Sequence, residues 1–365
     1  MALERLYTPG PTPIPERIRR VMSEPIIHHR TAEFTEIFRG VSLDLAPLFG
    51  TTQDVLTLAA SGTGGLEAAV ANCCRGGRTL VTVNAGKFGE RWTDLGRAYR
   101  LDVAELTVPY GQVATPDRLA DFLDAQPHTV QAVGLTHSET STGALHDVAE
   151  LASVARDRGA LVLVDAITSL GVHPIRMDEW GLDAVVSGSQ KGLMLPPGLA
   201  FVALSEKARA AMTHGDLPRF YFDLAEAAKQ LAKGTTPFTP AISLVVGLKE
   251  SLAMLNEEGL DQVFARHARL AAACRAGVKA LGLPLFASSP SNGVTAVGEI
   301  TTPDPDLVVK TLRAKHGMRL AGGQGSMKGK IFRIGHMGAY TDQDVADVLA
   351  ALSTVLSELA SMGAR

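Results

Sequence analysis

Residues 183–204, DAVVSGSQKGLMLPPGLAFVAL, set a single lysine, Lys191, in a loop of small residues between two short apolar runs. The flanking runs are rich in valine and small aliphatics and are bounded by glycine and proline, so they read as strands. An ammonium group is costly to desolvate. A lysine walled by hydrophobic strands therefore either reaches solvent or does chemistry.

Working outward, the same texture repeats. Residues 55–59 form a short apolar run that ends in Ser61-Gly62-Thr63-Gly64-Gly65, and residues 66–72 have helical composition. Strands at 79–83, 103–108, 130–135 and 161–164 are separated by helical stretches at 87–99, 116–125 and 147–158. Apolar residues at three- and four-residue steps from 31 to 49 predict one more amphipathic helix ahead of them. Strands alternating with helices imply a mostly parallel sheet covered on both faces, an α/β fold.

The texture changes at both ends of this region. Residues 8–15, TPGPTPIP, hold four prolines and exclude regular helix or a central strand. Residues 8–15 are read as the extended part of an N-terminal arm, 1–20, either a surface tail or a segment lying across a site or a partner subunit. After TTPFTP at 235–240, helical stretches at 242–256 and 260–281 lead into strands at 294–300 and 331–334 and helices at 306–316 and 342–359. The expected organisation is an arm (1–20), a large domain (21–241) and a smaller α+β domain (242–365).

With charged residues at 20% and a formal net charge of -3, the chain has no basic stripe of the kind a nucleic-acid backbone requires. The opening MALERL carries a charge pair where a signal peptide needs an apolar core, and no run has the length of a membrane span. The expectation is a cytoplasmic protein without nucleic-acid or membrane partners. Cys73, Cys74 and Cys274 match neither a disulfide framework nor a zinc spacing, and His28, His29, His137 and His336 fit no zinc motif. No metal is expected.

Three features carry chemistry. The 61–65 loop opens a helix, where backbone donors and hydroxyls suit either a phosphate or a simple capped turn. Asp165 emerges at the end of a buried strand, where it either faces a ligand crevice or caps the next turn. Lys191 ends another strand of the same sheet. A phosphate clamp, a partner for a pyridinium nitrogen and an amine able to condense with an aldehyde are what pyridoxal phosphate needs.

Six motifs extend this set: TPGP at 8–11, His28-His29-Arg30-Thr31, SGTG at 61–64, HSETSTG at 137–143, SGSQK at 187–191 and KIFRIG at 330–335. In this order, and over nearly the whole chain, the sequence resembles the class V aminotransferases, fold-type I pyridoxal phosphate enzymes, in the alanine–glyoxylate and serine–pyruvate aminotransferase group. The resemblance implies a large domain with a mostly parallel seven-stranded sheet. It implies that Lys191 holds the cofactor and moves the proton from substrate Cα, and that Asp165 pairs with the ring nitrogen. Ser61, Gly62, Thr63 and Gln190 would hold the phosphate, Thr140 would lie near the ring oxygen, and Phe88 and Ile167 would flank the ring. Thr236 and Thr239 match a segment that reaches the neighbouring subunit's phosphate, which implies a homodimer with shared active sites.

Arg333 resembles the arginine that binds the substrate α-carboxylate. A planar guanidinium matches a carboxylate bidentately, and on a strand among Ile331, Phe332 and Ile334 an unpartnered arginine is costly unless it points off an edge. The implied activity is transamination in two half-reactions, from a small donor such as alanine or serine to glyoxylate or pyruvate. Some similar-looking relatives are aspartate-type, which would need a second cation, Arg30 or Arg219. Desulfurases and lyases share the fold. A desulfurase needs a nucleophilic cysteine late in the chain and usually a histidine over the cofactor, whereas here no cysteine follows Cys274 and Phe88 stands at the stacking position.

Overall fold

The computed structural model describes residues 4–301 and 303–363. In chain order the strands begin with β1 (Arg5–Leu6), β2 (Val55–Leu58), β3 (Thr79–Asn84), β4 (Asp102–Thr107), β5 (Val130–Thr136), β6 (Ser138–Glu139) and β7 (Ala144–Leu145). They continue with β8 (Leu161–Asp165), β9 (Ala184–Gly188), β10 (Ala200–Leu204), β11 (Val294–Gly298), β12 (Met318–Arg319), β13 (Ala321–Gly322) and β14 (Ile331–Gly335). The central sheet has seven strands in the order β2-β10-β9-β8-β5-β3-β4. β10 runs antiparallel to its neighbours β2 and β9, and the other pairings are parallel. β8, β9 and β10 are buried at every position, which is why they are continuous aliphatic runs rather than alternating ones.

Four helices set up the crevice: α1 (Glu16–Met22), α2 (Ala32–Phe49), α3 (Gly62–Cys73) and α4 (Lys87–Ala98). α2 starts where Thr31 Oγ1 accepts from the Phe34 N–H and ends at Gly50 in the left-handed region, and it buries Phe34, Phe38, Val41 and Leu45. α3 lies on β9 and β10. An added Cβ at Gly65 would stand 2.6 Å from Val186 Cγ1, so the glycine is what allows α3 this close to the sheet.

The second unit is built on an antiparallel sheet, β11-β14-β13, with helices Pro305–His316 and Asp342–Gly363. The helix Ile242–Glu258 packs on α1 and α2, and its Val245, Leu248 and Leu252 belong to the core of the large sheet. The next helix, Leu260–Ala280, starts in that core with Val263 and ends in the second core with Leu270, Cys274 and Val278. The apolar cores thus change hands inside this helix, past the residue at which the sequence texture changes.

The proline-rich arm lies against the protein rather than in solvent. β1 pairs in parallel with β12, Gly335 N donates to Tyr7 O at 2.7 Å, and Glu4 accepts from Arg313 and Arg319 at 2.7 and 2.6 Å. Tyr7 and Thr12 are buried. No helix among the described residues is long and apolar enough to cross a membrane.

Candidate active site

The C-terminal ends of β2, β5, β8 and β9 open onto one crevice. In a parallel sheet the loops that follow such ends gather there. Register puts Asp165 beside Thr136 on one side and Val186 on the other, and β9 runs on through Gly188 to Lys191. Lys191 is 8% exposed, and its Nζ donates to the carbonyl of Pro9. Burial, with Arg333 adding to it, brings its amine down to about 8. The arm holds the lysine in two further ways: Thr12 Oγ1 donates to Lys191 O at 3.0 Å, and Gly10 packs on the side chain where an added Cβ would lie 2.5 Å from Nζ.

Asp165, 3% exposed, accepts a hydrogen bond from Ile167 N at 2.8 Å. Burial pushes its carboxyl up to about 7 against the pull of that N–H, while Arg91 and Lys191 draw it down. No cation stands within ion-pair distance of Asp165 among the described residues. A protonated ring nitrogen would supply the missing charge, and on this ground the residues fit pyridoxal phosphate.

The N-terminus of α3 forms the next wall. Ser61 is its N-cap residue and makes no side-chain cap, and a Cβ on Gly62 would collide with Ile167 Cδ1, so the loop fits tightly over Ile167. The buried Gln190 Oε1 has no partner among the described residues and lies near the backbone of Gly62 and Gly188. An orphaned amide at a helix N-terminus suits a phosphate, whose oxygens accept from the other end of the amide after a flip. Thr63 Oγ1 accepts from Arg91 at 2.9 Å. Phe88, at the start of α4, is half-buried on the same side.

Arg333, 4% exposed on β14, donates to Gly322 O at 2.8 Å and to Thr140 O at 3.0 Å. Burial lowers its guanidinium to about 10, and no carboxylate is in ion-pair reach among the described residues. The Thr140 hydroxyl pairs with that of Thr168 at 2.6 Å. Lys191, Asp165, Ile167, Ser61, Gly62, Thr63, Gln190, Phe88, Thr140 and Arg333 therefore share one crevice.

Thr236 and Thr239 stand apart from it. They line a small recess with Thr57, Leu58 and Tyr221, and Thr236 Oγ1 donates to Phe238 O at 2.6 Å. Arg219 is turned away onto the carbonyls of Ala71 and Met212, and Arg30 is exposed. The three cysteines are buried and their thiols are pushed up by burial, Cys274 to about 11.

Sequence reading passes over Glu139 and Arg91. Glu139 is fully buried and accepts from the N–H groups of Gly89 and Ser141 at 2.9 and 3.1 Å, which fixes the first turn of α4 and with it Phe88. Burial raises its pKa against these donors. The only signal for Glu139 in the sequence is an acid inside the hydroxyl-rich run 137–143. For Arg91 it is a cation three residues past Phe88, on the same helix face.

Comparison with known proteins agrees with this architecture. The Aminotransferase class-V family model matches residues 16–348. The chain is 44% identical to a protein named soluble hydrogenase 42 kDa subunit of Anabaena cylindrica, over 97% of this chain and 93% of that one. It is 38% identical to the L-aspartate–glyoxylate aminotransferase of Paracoccus denitrificans, over 97% and 91%. The crystal structure of alanine–glyoxylate aminotransferase from Nostoc sp. superposes with a TM-score of 0.94 at 28% identity, covering 98% of this chain and 96% of that one. The chain thus belongs to the class-V aminotransferases, pyridoxal phosphate enzymes that move an amino group between an amino acid and a 2-oxo acid.

Proposed function

We propose that the protein moves the amino group of a small amino acid, alanine or serine, to glyoxylate, pyruvate, one methyl group larger, being the other acceptor. The observation that carries the reading is Arg333. A buried guanidinium bonded to two backbone carbonyls keeps a positive charge without an acidic partner among the described residues, and a substrate carboxylate is the ion that completes it. Glyoxylate is preferred because the aspartate and alanine aminotransferases compared above both carry it in their names.

Pyridoxal phosphate would supply here an aldehyde able to carry the amino group and an electron-withdrawing ring that stabilises charge at substrate Cα. The chain's residues do the rest. Lys191 Nζ, with its proton affinity brought down to about 8, would take the proton from the donor's Cα in one half-reaction and deliver one to the Cα derived from the acceptor in the other. Asp165 keeps a proton on the ring nitrogen, and a cation at that point holds its carboxylate ionised against burial. Ser61, Gly62, Thr63 and Gln190 hold the phosphate, Phe88 and Ile167 flank the ring, Thr140 bonds its oxygen, and Arg333 orients the substrate carboxylate.

The proposal extends to a homodimer with shared active sites. Thr236 and Thr239 lie on a loop beside an exposed aromatic patch, Phe220 at 82%, Tyr221 at 47% and Phe238 at 39% exposure, with Tyr221 and Phe238 stacked at 5.0 Å. Aspartate is a second donor reading, favoured by the 38% identity to the aspartate–glyoxylate enzyme. It needs a second cation, and with Arg219 engaged by carbonyls Arg30 is the candidate.

The test is a donor panel of alanine, serine and aspartate, followed by the cofactor's absorbance in single half-reactions, then an acceptor panel of glyoxylate, pyruvate and 2-oxoglutarate. Fast conversion with alanine or serine and glyoxylate is expected. Conversion by aspartate alone would replace the first reading with the second, and turnover by Lys191→Ala would sink both.

A further inference from the structure

Arg91 is the cation in the crevice to which no motif assigns work. It lies on α4, and of the three cations of that helix it alone lacks an acidic partner among the described residues: Lys87 pairs with Glu90, and Arg97 with Glu105 at 3.3 Å. Its side chain is directed elsewhere. Nη1 donates to Thr63 Oγ1 at 2.9 Å, and Cζ lies 4.9 Å from the centre of the Phe88 ring. Its charge acts on both Asp165 and Lys191.

The hydrogen-bond chemistry of this contact has a direction. A guanidinium has donors only, so Thr63 Oγ1 is the acceptor and its own hydrogen is left to donate elsewhere. Thr63 is the second residue of α3, beside the first N–H groups of that helix, which have no intrahelical partners. The run 61–65 contains no lysine or arginine, and a phosphate monoester brings nearly two negative charges.

We propose that Arg91 is the cation of the phosphate cradle: it aims the Thr63 hydroxyl at the cofactor phosphate as a donor, adds the positive charge that the loop lacks, and backs the Phe88 ring that flanks the cofactor. The inference rests on the reading of residues 61–63 as the phosphate site. Arg91 acts on the cofactor through Thr63 and Phe88 and is a positioning residue. A stacked guanidinium contributes both charge and a flat surface, which a lysine does not.

The experiment measures equilibrium binding of pyridoxal phosphate, of pyridoxal and of inorganic phosphate to the apo protein, in wild type, Arg91→Gln, Arg91→Lys, Thr63→Val and Gln190→Ala. Circular dichroism checks folding of each variant. Arg91→Gln is expected to weaken pyridoxal phosphate and phosphate by at least about tenfold while leaving pyridoxal within about twofold, with Arg91→Lys intermediate. If Arg91→Gln does not fold, Arg91→Lys carries the comparison, and the expected loss is again confined to the two phosphate-bearing ligands. Equal losses for pyridoxal and pyridoxal phosphate would overturn the inference and leave Arg91 as packing for Phe88. So would unchanged phosphate binding with KM raised for aspartate alone, which would assign Arg91 to a distal carboxylate. If Thr63→Val and Gln190→Ala also leave phosphate binding unchanged, the reading of the loop itself fails. If they weaken it and Arg91→Gln does not, only the role of Arg91 falls.

Discussion

Among the described residues Arg333, Asp165 and Lys191 are ionisable groups held out of water with no opposite charge in contact, so the apo protein stores a penalty that a charged ligand relieves. Asp165 keeps its proton in the folded chain up to about pH 7, against about 3.9 in an unfolded one. Stability of the apo protein therefore falls as pH rises through that window. Asp165→Asn removes the fall: thermal melts should show the variant more stable at pH 8, by up to about 4 kcal/mol, and equal to wild type near pH 4, while cofactor retention and turnover drop sharply. Lys191 works in the opposite sense, since its folded-state value is lowered to about 8, and the rate of pyridoxal phosphate uptake by the apo protein should rise with a midpoint near that pH. Arg333→Ala should raise KM for every donor by about a hundredfold with the cofactor's spectrum intact, as steady-state kinetics and absorbance would show together. Asp165 and Lys191 were legible because each ends a run of buried aliphatics, where an ionisable residue has few innocent roles. Arg91 and Glu139 were not, because what defines them is a partner brought from another element: Thr63 for one, the first turn of α4 for the other.

At the level of elements, α3, α4 and the arm are placed by close approach more than by propensity. Gly62 has to be glycine because Ile167 occupies the space of a side chain, and Gly10 has to be glycine because its φ is +109° and Lys191 lies against it. Gly10→Ala combines a left-handed backbone with a clash on the lysine. It should destabilise the protein by about 1–3 kcal/mol and slow pyridoxal phosphate uptake, measured by thermal melts and by the absorbance change on mixing. The proline spacing of residues 8–15 was enough to exclude helix and sheet, but not to say where the segment lands. That is decided by β1, a two-residue strand with no periodicity to read, and by partners at the far end of the chain. The strands of the large sheet were legible for the opposite reason, as apolar runs bounded by glycine, proline or polar residues, and its longer helices by their period, whereas the short helices Glu206–Met212 and Leu224–Leu231 were too brief to show one.

For the whole molecule, the order β2-β10-β9-β8-β5-β3-β4 brings the ends of β2, β8 and β9 together although they are far apart in sequence. The alternation of elements indicates such a sheet but not the strand order, because order depends on which faces the crossover helices cover. The aromatic patch of Phe220, Tyr221 and Phe238 is a feature of the same scale. Phe238→Asp should convert the proposed dimer to monomer at micromolar concentration in sedimentation runs, with weaker cofactor retention if Thr236 and Thr239 serve the neighbouring site. The arm carries a further consequence, for the order of events during synthesis. Residues 4–12 leave the ribosome more than 300 residues ahead of the partners that dock them, Met318, Arg319 and Gly335. Until then the lysine strand can form and fold with its sheet while Pro9, Gly10 and Thr12 are absent from it. From the synthesis of Lys191 until that of Gly335 the nascent chain thus carries an open amine pocket, and strands made late are the ones that bring early residues to close it.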